Sequence, residues 1–533
     1  MSPTLLQPVE VGPLDLSAYE AWVPGPALRA ATALAGRLAR RMRGQVLWSV
    51  NSTGKGGGVA EMLRPLLGYA RGAGIDARWM VISGSPGFFV ATKQLHNALH
   101  GGDLEGGGLD RSARELYLET TLRNAMELAA LARPGDVVLL HDPQTAGMVP
   151  YLSRLGLPVI WRCHIGHDRW DAGVEAAWEF LAPLVAEADA LVFTRAGYVP
   201  PQLQGGPVVI APPTIDPFSA KNQPMRERQI EAILHHAGLI EASAPEGEAF
   251  FLRHDGTTAM VERSADVLRL GPAPGPAVPL VVQVSRWDRL KDPVGVLEGF
   301  ARAKRLLSET GAELVLAGPN VNAVADDPEG QEVFGEVVAA WRTLPHHQRR
   351  RVALANLPMA DVEENAAIVN ALQRHASVVV QKSLHEGFGL TVTEAMWKGR
   401  PIVASRVGGI PDQIEDGVSG LLLDDPSDLG AFATALEFLF EDPERAARLG
   451  RRAQQDARAH GLGIQGLLRF GYLVEQLLDA RTLSPAARAD LHEAVARALL
   501  AHRTGADEAG GRGDRFERDP MPSPTPPTLE ELQ

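Results

Sequence analysis

Residues 377–405 read SVVVQKSLHEGFGLTVTEAMWKGRPIVAS. A short β-branched run, Val378 to Val380, favours a strand. It gives way to a polar loop and to Gly387-Phe388-Gly389, where glycines allow a sharp turn into the helical segment that follows. A second apolar run, Pro401 to Ser405, closes the unit. Strand, helix and strand in this order form the crossover that joins parallel strands. Two carboxylates flank the turn: Glu386 in the loop and Glu394 about one turn inside the helix. They belong either to an ordinary strand-to-helix turn or to one wall of a ligand site.

The same alternation extends in both directions. QVLWSV (45–50), ARWMVIS (77–83), DVVLLHD (136–142), PVIWRCH (158–164) and ALVFT (190–194) are strand-like, with helical patterns between them. The pattern restarts at PLVVQVSR (279–286) and continues through AELVLAGP (312–319), RVALANL (351–357), ASVVVQ (376–381), PIVAS (401–405) and GLLLDD (420–425). Apolar strands alternating with helices predict parallel sheets covered on both faces. The expected fold is α/β, with two doubly wound parallel-sheet domains. The expected boundaries are an N-terminal domain over 1–215, a linker with an insertion over 216–278 and a second domain over 279–445. C-terminal helices follow over 446–504. The Pro-, Gly- and charge-rich tail at 505–533 has a disordered composition.

Composition narrows the function. Fifty-two Lys and Arg against 65 Asp and Glu leave a net charge of −13, which disfavours nucleic acid and anionic membrane as partners. The single cysteine, Cys163, precludes an intrachain disulfide and suits a cytoplasmic protein. No apolar run approaches a membrane span, and the N-terminus lacks the pattern of a secretory signal.

Ligands of parallel α/β sheets bind beyond the carboxyl ends of the strands. After the first long strand comes NSTGKGGGVAE, whose Gly56, Gly57 and Gly58 lead into a helix and suit an anion. The run is neither a dinucleotide fingerprint nor a P-loop, and a plain flexible turn is the bland alternative. LLHDPQTAG sets His141, Asp142 and Gln144 at one strand end, and WRCHIGHD sets Arg162, His164, His167 and Asp168 at the next. These groups suit a hydroxyl-rich ligand or simple helix capping. His164 with His167 also has a spacing compatible with metal, but no accompanying ligand motif. In VSRWDRLKDP, Arg286 and Lys291 form a cation pair suited to a diphosphate, with Arg289 facing water. Glu386 suits sugar hydroxyls. Glu394 suits a vicinal diol such as a ribose, or a helix-dipole contact that needs no ligand. The pairs Asp326-Asp327 and Asp424-Asp425 read as turn chemistry rather than metal ligands.

Arg286 with Lys291, followed by EGFGLTVTE, resembles the donor site of retaining family 4 glycosyltransferases. NSTGKGGGVAEML, FFVATKQLHNALHG, HDPQTAG, WRCHI, APPTIDPFSAKNQ and VVVQKSLHEGFGLTVTEAMWKGRPIVASRVGGI resemble the trehalose glycosyltransferring synthases, from about Val9 to Arg481 except 240–275. The resemblance implies a GT-B fold, with two Rossmann-like domains facing across a cleft and C-terminal helices packing back across it. It implies reversible transfer of glucose from a nucleoside diphosphate glucose (ADP- or UDP-glucose) to free glucose, giving α,α-trehalose. By resemblance, Arg286 and Lys291 neutralise the leaving diphosphate, Glu386 holds the donor glucose and His164 sits beside it. The nucleotide sugar would lie on Gly56, Gly57, Gly58, Arg286, Lys291, Gly387, Phe388, Gly389, Leu390 and Glu394, with Glu394 on the ribose. Asp142 and Gln144 would contact the acceptor. No obligatory cofactor or metal follows; a divalent metal would at most stimulate, with no dedicated site. The expected partners are the nucleotide sugar and glucose or trehalose, and a homodimer is left open. The alternatives are a retaining trehalose phosphorylase, a family 4 enzyme with another acceptor, or a non-catalytic nucleotide-sugar-binding protein.

Overall fold

The computed structural model describes residues 5–54, 57–102, 108–243, 247–321 and 328–480. The described residues form two compact units, one within Thr214–Leu462 and one from the described residues on either side of it.

The first unit holds a seven-stranded sheet of β1 (Gln7–Val9), β2 (Val46–Asn51), β3 (Asp76–Val81), β4 (Val137–His141), β5 (Val159–Cys163), β6 (Ala190–Phe193) and β7 (Val208–Ile210). Its order is β1-β3-β2-β4-β5-β6-β7, parallel except for the antiparallel edge strand β1. Alternate residues serve opposite faces. Val138, Leu140, Trp161, Leu191 and Phe193 join one core, where Trp161, Trp178 and Phe193 pack at ring-centroid distances of 5.9–6.2 Å. Val137, Leu139, Ile160, Ala190 and Val192 join the other. That second face is covered by Leu34 and Leu38 of the helix Gly25–Arg41 and by Phe470, Leu473, Val474 and Leu477 of the helix Gly463–Ala480. Burying each such side chain stabilises by about 1.5–3 kcal/mol. This burial explains why the last described helix belongs to the first unit. A two-pronged ion pair from Arg37 to Glu475, 2.8 and 3.1 Å, joins the two covering helices.

In the second unit, β8 (Phe250–Leu252) and β9 (Thr258–Met260) form a hairpin. Strands β10 (Asp266–Leu268), β11 (Leu280–Val284), β12 (Glu313–Pro319), β13 (Val352–Leu357), β14 (Val378–Gln381), β15 (Ile402–Ser405) and β16 (Leu421–Leu423) form a sheet of order β10-β13-β12-β11-β14-β15-β16. All are parallel except the antiparallel edge strand β10.

Each sheet reverses its strand order once, between β2 and β4 in the first and between β11 and β14 in the second. Segment 216–278 differs from the expected linker, because it is built into the second unit. Its helix Glu227–His236 packs on the helix Val362–His375, and β10 extends the sheet. Gln223 exchanges hydrogen bonds with Leu252 in the hairpin, 2.9 and 3.0 Å. Arg253 pairs with Asp361. These anchors are polar and far apart in sequence, so no hydrophobic period announces them. Of the expected C-terminal helices, Pro443–Asp456 lies in the second unit and Gly463–Ala480 in the first. Residues 481–504 of those expected helices and the tail at 505–533 lie outside the described residues.

Candidate active site

In the second unit the reversal brings two loops together. Strand β11 runs into Ser285 to Asp292, and β14 runs into Lys382 to Gly389. Leu384 N–H donates to the Leu290 carbonyl at 2.8 Å. Gln283 Nε2 donates to the Lys291 carbonyl at 2.8 Å, which fixes the turn carrying that lysine. Lys291 Nζ then reaches Glu386 Oε2 at 2.7 Å. The same oxygen accepts from Gln381 Nε2 and Ser383 Oγ, each at 3.2 Å, and Glu386 Oε1 accepts from Gly387 N–H at 3.2 Å. The lysine and glutamate side chains are only 18% and 11% exposed. Beneath them Lys382, fully buried, pairs with Asp292.

The candidate phosphate cation Arg286 stands apart from this cluster. Its side chain is 63% exposed and pairs with Asp288 at 3.0 Å. Arg289, expected to face water, pairs with Glu332 and Glu336 at 2.8 and 2.6 Å. Gly389, with φ of 83°, caps the helix Leu390–Trp397. Gln413 Nε2 donates to the Phe388 carbonyl at 2.5 Å, while its Oε1 accepts from the Thr393 hydroxyl at 2.6 Å. The turn is thus held from outside, leaving the helix-start N–H groups of Phe388 and Gly389 without a partner among the described residues. Glu394 is 5% exposed, with Lys221 Nζ 3.7 Å away. Lys398, also buried, donates to Asn222 at 3.1 Å and Gln373 at 2.6 Å. Neither lysine near Glu394 was singled out from the sequence; both are separated from it by ordinary-looking helix and loop.

In the first unit the reversal at β2 and β4 gathers a second cluster. Ser49 Oγ lies 3.1 Å from His141 Nε2, and His141 Nδ1 lies 3.0 Å from His164 Nε2. The His164 backbone N–H donates to Asp142 Oδ1 at 2.8 Å. Asp142 has φ of 62°, a sparsely populated conformation for a residue with a side chain. Burial pushes its carboxyl up to about 7, against the lowering by the His164 N–H and the Arg162 charge. Burial, then the Arg162 charge, holds both histidines well below the usual imidazole range. Arg162 is itself pushed down to about 9 by burial, and it stacks 4.7 Å from the Phe470 ring centre. Gln144 Oε1 is buried without a hydrogen-bond partner among the described residues. Gly57, with φ of 80°, and Gly58 are exposed at the start of the helix Gly57–Gly72, and Gly56 lies outside the described residues.

His167 does not join His164: its Nδ1 lies 2.9 Å from the Arg169 carbonyl, while Asp168 pairs with Arg195 at 2.6 Å. Among the described residues no group of three or more His, Cys, Asp or Glu could hold a metal ion. Asp425 accepts from Ser427 N–H at 2.8 Å, a turn contact, and Asp424 pairs with Arg406 at 2.6 Å. Asp326 and Asp327 lie outside the described residues.

The Asp142 environment has a measurable consequence. Its folded pKa of about 7 lies above the ordinary 3.8, so the folded chain retains a proton that the unfolded chain releases. Its contribution to stability is therefore full below about pH 4 and falls as pH rises to about 7. The difference between the two values corresponds to about 4 kcal/mol. Asp142→Asn removes that dependence while keeping an oxygen for the His164 N–H. Urea unfolding of parent and variant should give a stability difference that moves toward the variant by about 2–4 kcal/mol between pH 4 and pH 8. A flat difference would show that Asp142 is ionised in the folded protein.

The family model "Trehalose synthase, N-terminal domain" matches residues 49–200, and "Glycosyl transferases group 1" matches residues 360–456. The trehalose synthase of Rubrobacter xylanophilus is 36% identical over 427 residues, covering 80% of this chain and 89% of that protein. This chain belongs to the trehalose synthase family. As a family member it is a glycosyltransferase of trehalose metabolism. The trehalose phosphorylase of Pleurotus pulmonarius is 26% identical, over 77% of this chain and 54% of that protein. Among solved structures, trehalose-6-phosphate synthase OtsA aligns with a TM-score of 0.59 at 13% identity, covering 81% of this chain and 99% of that one. The E. coli trehalose-6-phosphate protein bound with UDP-2-fluoro glucose gives the same values. The trehalose synthase family member described here thus has the GT-B fold, two Rossmann-like parallel-sheet domains. No helix among the described residues is long and apolar enough to cross a membrane.

Proposed function

We propose that this enzyme transfers glucose from a nucleoside diphosphate glucose to free glucose, with retention, forming α,α-trehalose reversibly. The observation that carries the reading is the Lys291–Glu386 pair at the strand-order reversal, 2.7 Å, beside the Phe388 and Gly389 N–H groups, which have no partner among the described residues. A sugar–phosphate bond that breaks leaves positive charge on the sugar and negative charge on the diphosphate. Lys291, Arg286 and the N–H groups of Gly387, Phe388, Gly389 and Leu390 would stabilise the diphosphate without reorganising. Glu386 would accept from hydroxyls of the donor glucose, and buried Glu394 would accept from the ribose diol. Glycines 56–58 are assigned to the phosphates. Asp142, whose carboxyl burial pushes up to about 7, and Gln144, whose Oε1 has no partner among the described residues, are assigned to hydroxyls of the acceptor glucose, where the carboxyl can donate when protonated and the amide oxygen can accept.

In this reading no carboxylate attacks the sugar. Glu386 is already engaged by three side-chain donors, and the leaving phosphate takes the acceptor's proton. Both substrates are soluble metabolites, which fits a cytoplasmic enzyme. The neighbour bound with UDP-2-fluoro glucose supports a nucleotide sugar as donor. The phosphorylase reading draws on the Pleurotus relative, and phosphate would then replace the nucleotide. The test supplies ADP-, UDP- and GDP-glucose with and without glucose, and separately trehalose with inorganic phosphate. Glucose-dependent release of nucleoside diphosphate is expected. Trehalose breakdown by phosphate, with no turnover of any nucleotide sugar, would replace this reading with the phosphorylase.

A further inference from the structure

Three side chains in the first unit form a chain: Ser49 Oγ to His141 Nε2, 3.1 Å, and His141 Nδ1 to His164 Nε2, 3.0 Å. Ser49 and His141 are fully buried. The imidazole planes differ by 19° with ring centres 5.3 Å apart, so the two rings lie nearly in a common orientation along the chain. We propose that His141 is a positioning residue that presents His164 to the sugar as an Nδ1–H hydrogen-bond donor, with the buried hydroxyl of Ser49 setting the direction of the chain. The proposal rests on the reading that His164 touches the transferring glucose.

The direction follows from counting protons. Two neutral imidazoles and one hydroxyl can be ordered in only two ways along this chain. In one, Ser49 donates to His141 Nε2, His141 Nδ1–H donates to His164 Nε2, and His164 carries its proton on Nδ1. In the other, His164 Nε2–H donates to His141 Nδ1, and His141 Nε2–H donates to Ser49. The second order needs another acceptor for the Ser49 hydroxyl proton. Among the described residues His141 is the one hydrogen-bond partner of Ser49 Oγ. A buried donor without an acceptor costs about 1–3 kcal/mol, so the first order is favoured. Burial and the Arg162 charge keep both rings neutral, as the count requires.

The outcome constrains what His164 can do. Its Nε2 lone pair is occupied by His141, so it does not serve as a base there. Its Nδ1–H has no partner among the described residues and is available to a sugar oxygen. The second anchor, from the His164 backbone N–H to Asp142 Oδ1 at 2.8 Å, fixes the main chain below the ring. A ring held at Nε2 and at its backbone loses little freedom when the sugar arrives, which is how a positioning residue contributes to turnover.

The direct test is the nitrogen spectrum of histidine in the unmodified protein labelled with 15N-histidine, with His164→Ala used to assign the signal. The expected result is protonated Nδ1 and unprotonated Nε2 on His164. Kinetics supply the second readout. Ser49→Ala should lower kcat about 10-fold with KM for the nucleotide sugar within twofold, and Ser49→Thr, which keeps the hydroxyl, should restore it. A His164 signal with the proton on Nε2, or a Ser49→Ala enzyme with parent kcat, would overturn the proposal by itself. An Nδ1–H signal combined with a fully active His164→Ala enzyme would overturn it differently, by removing His164 from the sugar.

Discussion

Glu386→Gln is expected to lower kcat by about 10²–10³-fold, the range seen when one preorganised electrostatic contact is lost from a transition state. The substitution keeps the size of the side chain and changes its hydrogen-bond polarity. In the parent, both carboxylate oxygens accept: Oε2 from Lys291, Gln381 and Ser383, and Oε1 from Gly387. An amide can offer only one oxygen. Turned one way, its NH₂ meets the three side-chain donors; turned the other, it meets the Gly387 N–H. Either way Lys291, 18% exposed, loses its carboxylate partner. The nucleotide contacts assigned to Glu394 are untouched. Binding of the free nucleoside diphosphate, measured by calorimetry, should therefore stay within about threefold while kcat falls. A Glu386→Gln enzyme with near-parent kcat would remove Glu386 from the donor sugar.

Gly408→Ala is expected to cost about 3 kcal/mol or more of stability and to take most of the activity with it. Gly408 has φ of 56°, and a Cβ added there would lie 1.7 Å from the Glu386 carbonyl oxygen and 2.7 Å from its carbonyl carbon. Both obstacles are backbone, so no rotamer change relieves them. The loop carrying Glu386 must move, and the Lys291–Glu386 contact moves with it. Gly417→Ala is the control: its φ is 72°, yet nothing lies within 4 Å of an added Cβ. It should cost only the left-handed backbone penalty, about 1 kcal/mol. Denaturant midpoints for the two variants separate crowding from backbone strain. Parent stability and activity in Gly408→Ala would contradict the packing described for this loop.

Much of the architecture is legible in the sequence because parallel strands buried on both faces are nearly uninterrupted apolar runs. DVVLLHD and PVIWRCH announce β4 and β5 in this way, and VVVQ announces β14. The rule that ligands sit beyond the strands' carboxyl ends then points to His141, Asp142, Arg286 and Glu386 without knowledge of strand order. Strand order is the missing information. It brings β2 beside β4, and so Ser49 beside His141, across 92 residues. It brings β11 beside β14, and so Lys291 beside Glu386, across 95.

Edge strands were harder to see. Strands β1, β8, β9 and β10 have three residues each, too few to establish a period, and β8 is tied down by the side chains of Gln223 and Gln229, with Arg253 beside it on Asp361. The adjacent histidine pair was equally hidden. Sequence spacing suggested His164 with His167, three apart, whereas the sheet register pairs His141 with Arg162 and leaves His164 just beyond, within reach of the His141 ring. A serine and a histidine on otherwise apolar strands were the available signal, since polar side chains in such positions are usually hydrogen-bonded to one another.

The most direct measurement of the central claim uses nucleoside diphosphate glucose labelled with 13C at the anomeric carbon, incubated with the enzyme and unlabelled glucose and followed by 13C NMR. The account predicts a single product, α,α-trehalose, labelled at one of its two anomeric carbons, formed in step with nucleoside diphosphate. A label that appears in a disaccharide of any other linkage, or in free glucose alone, would contradict it.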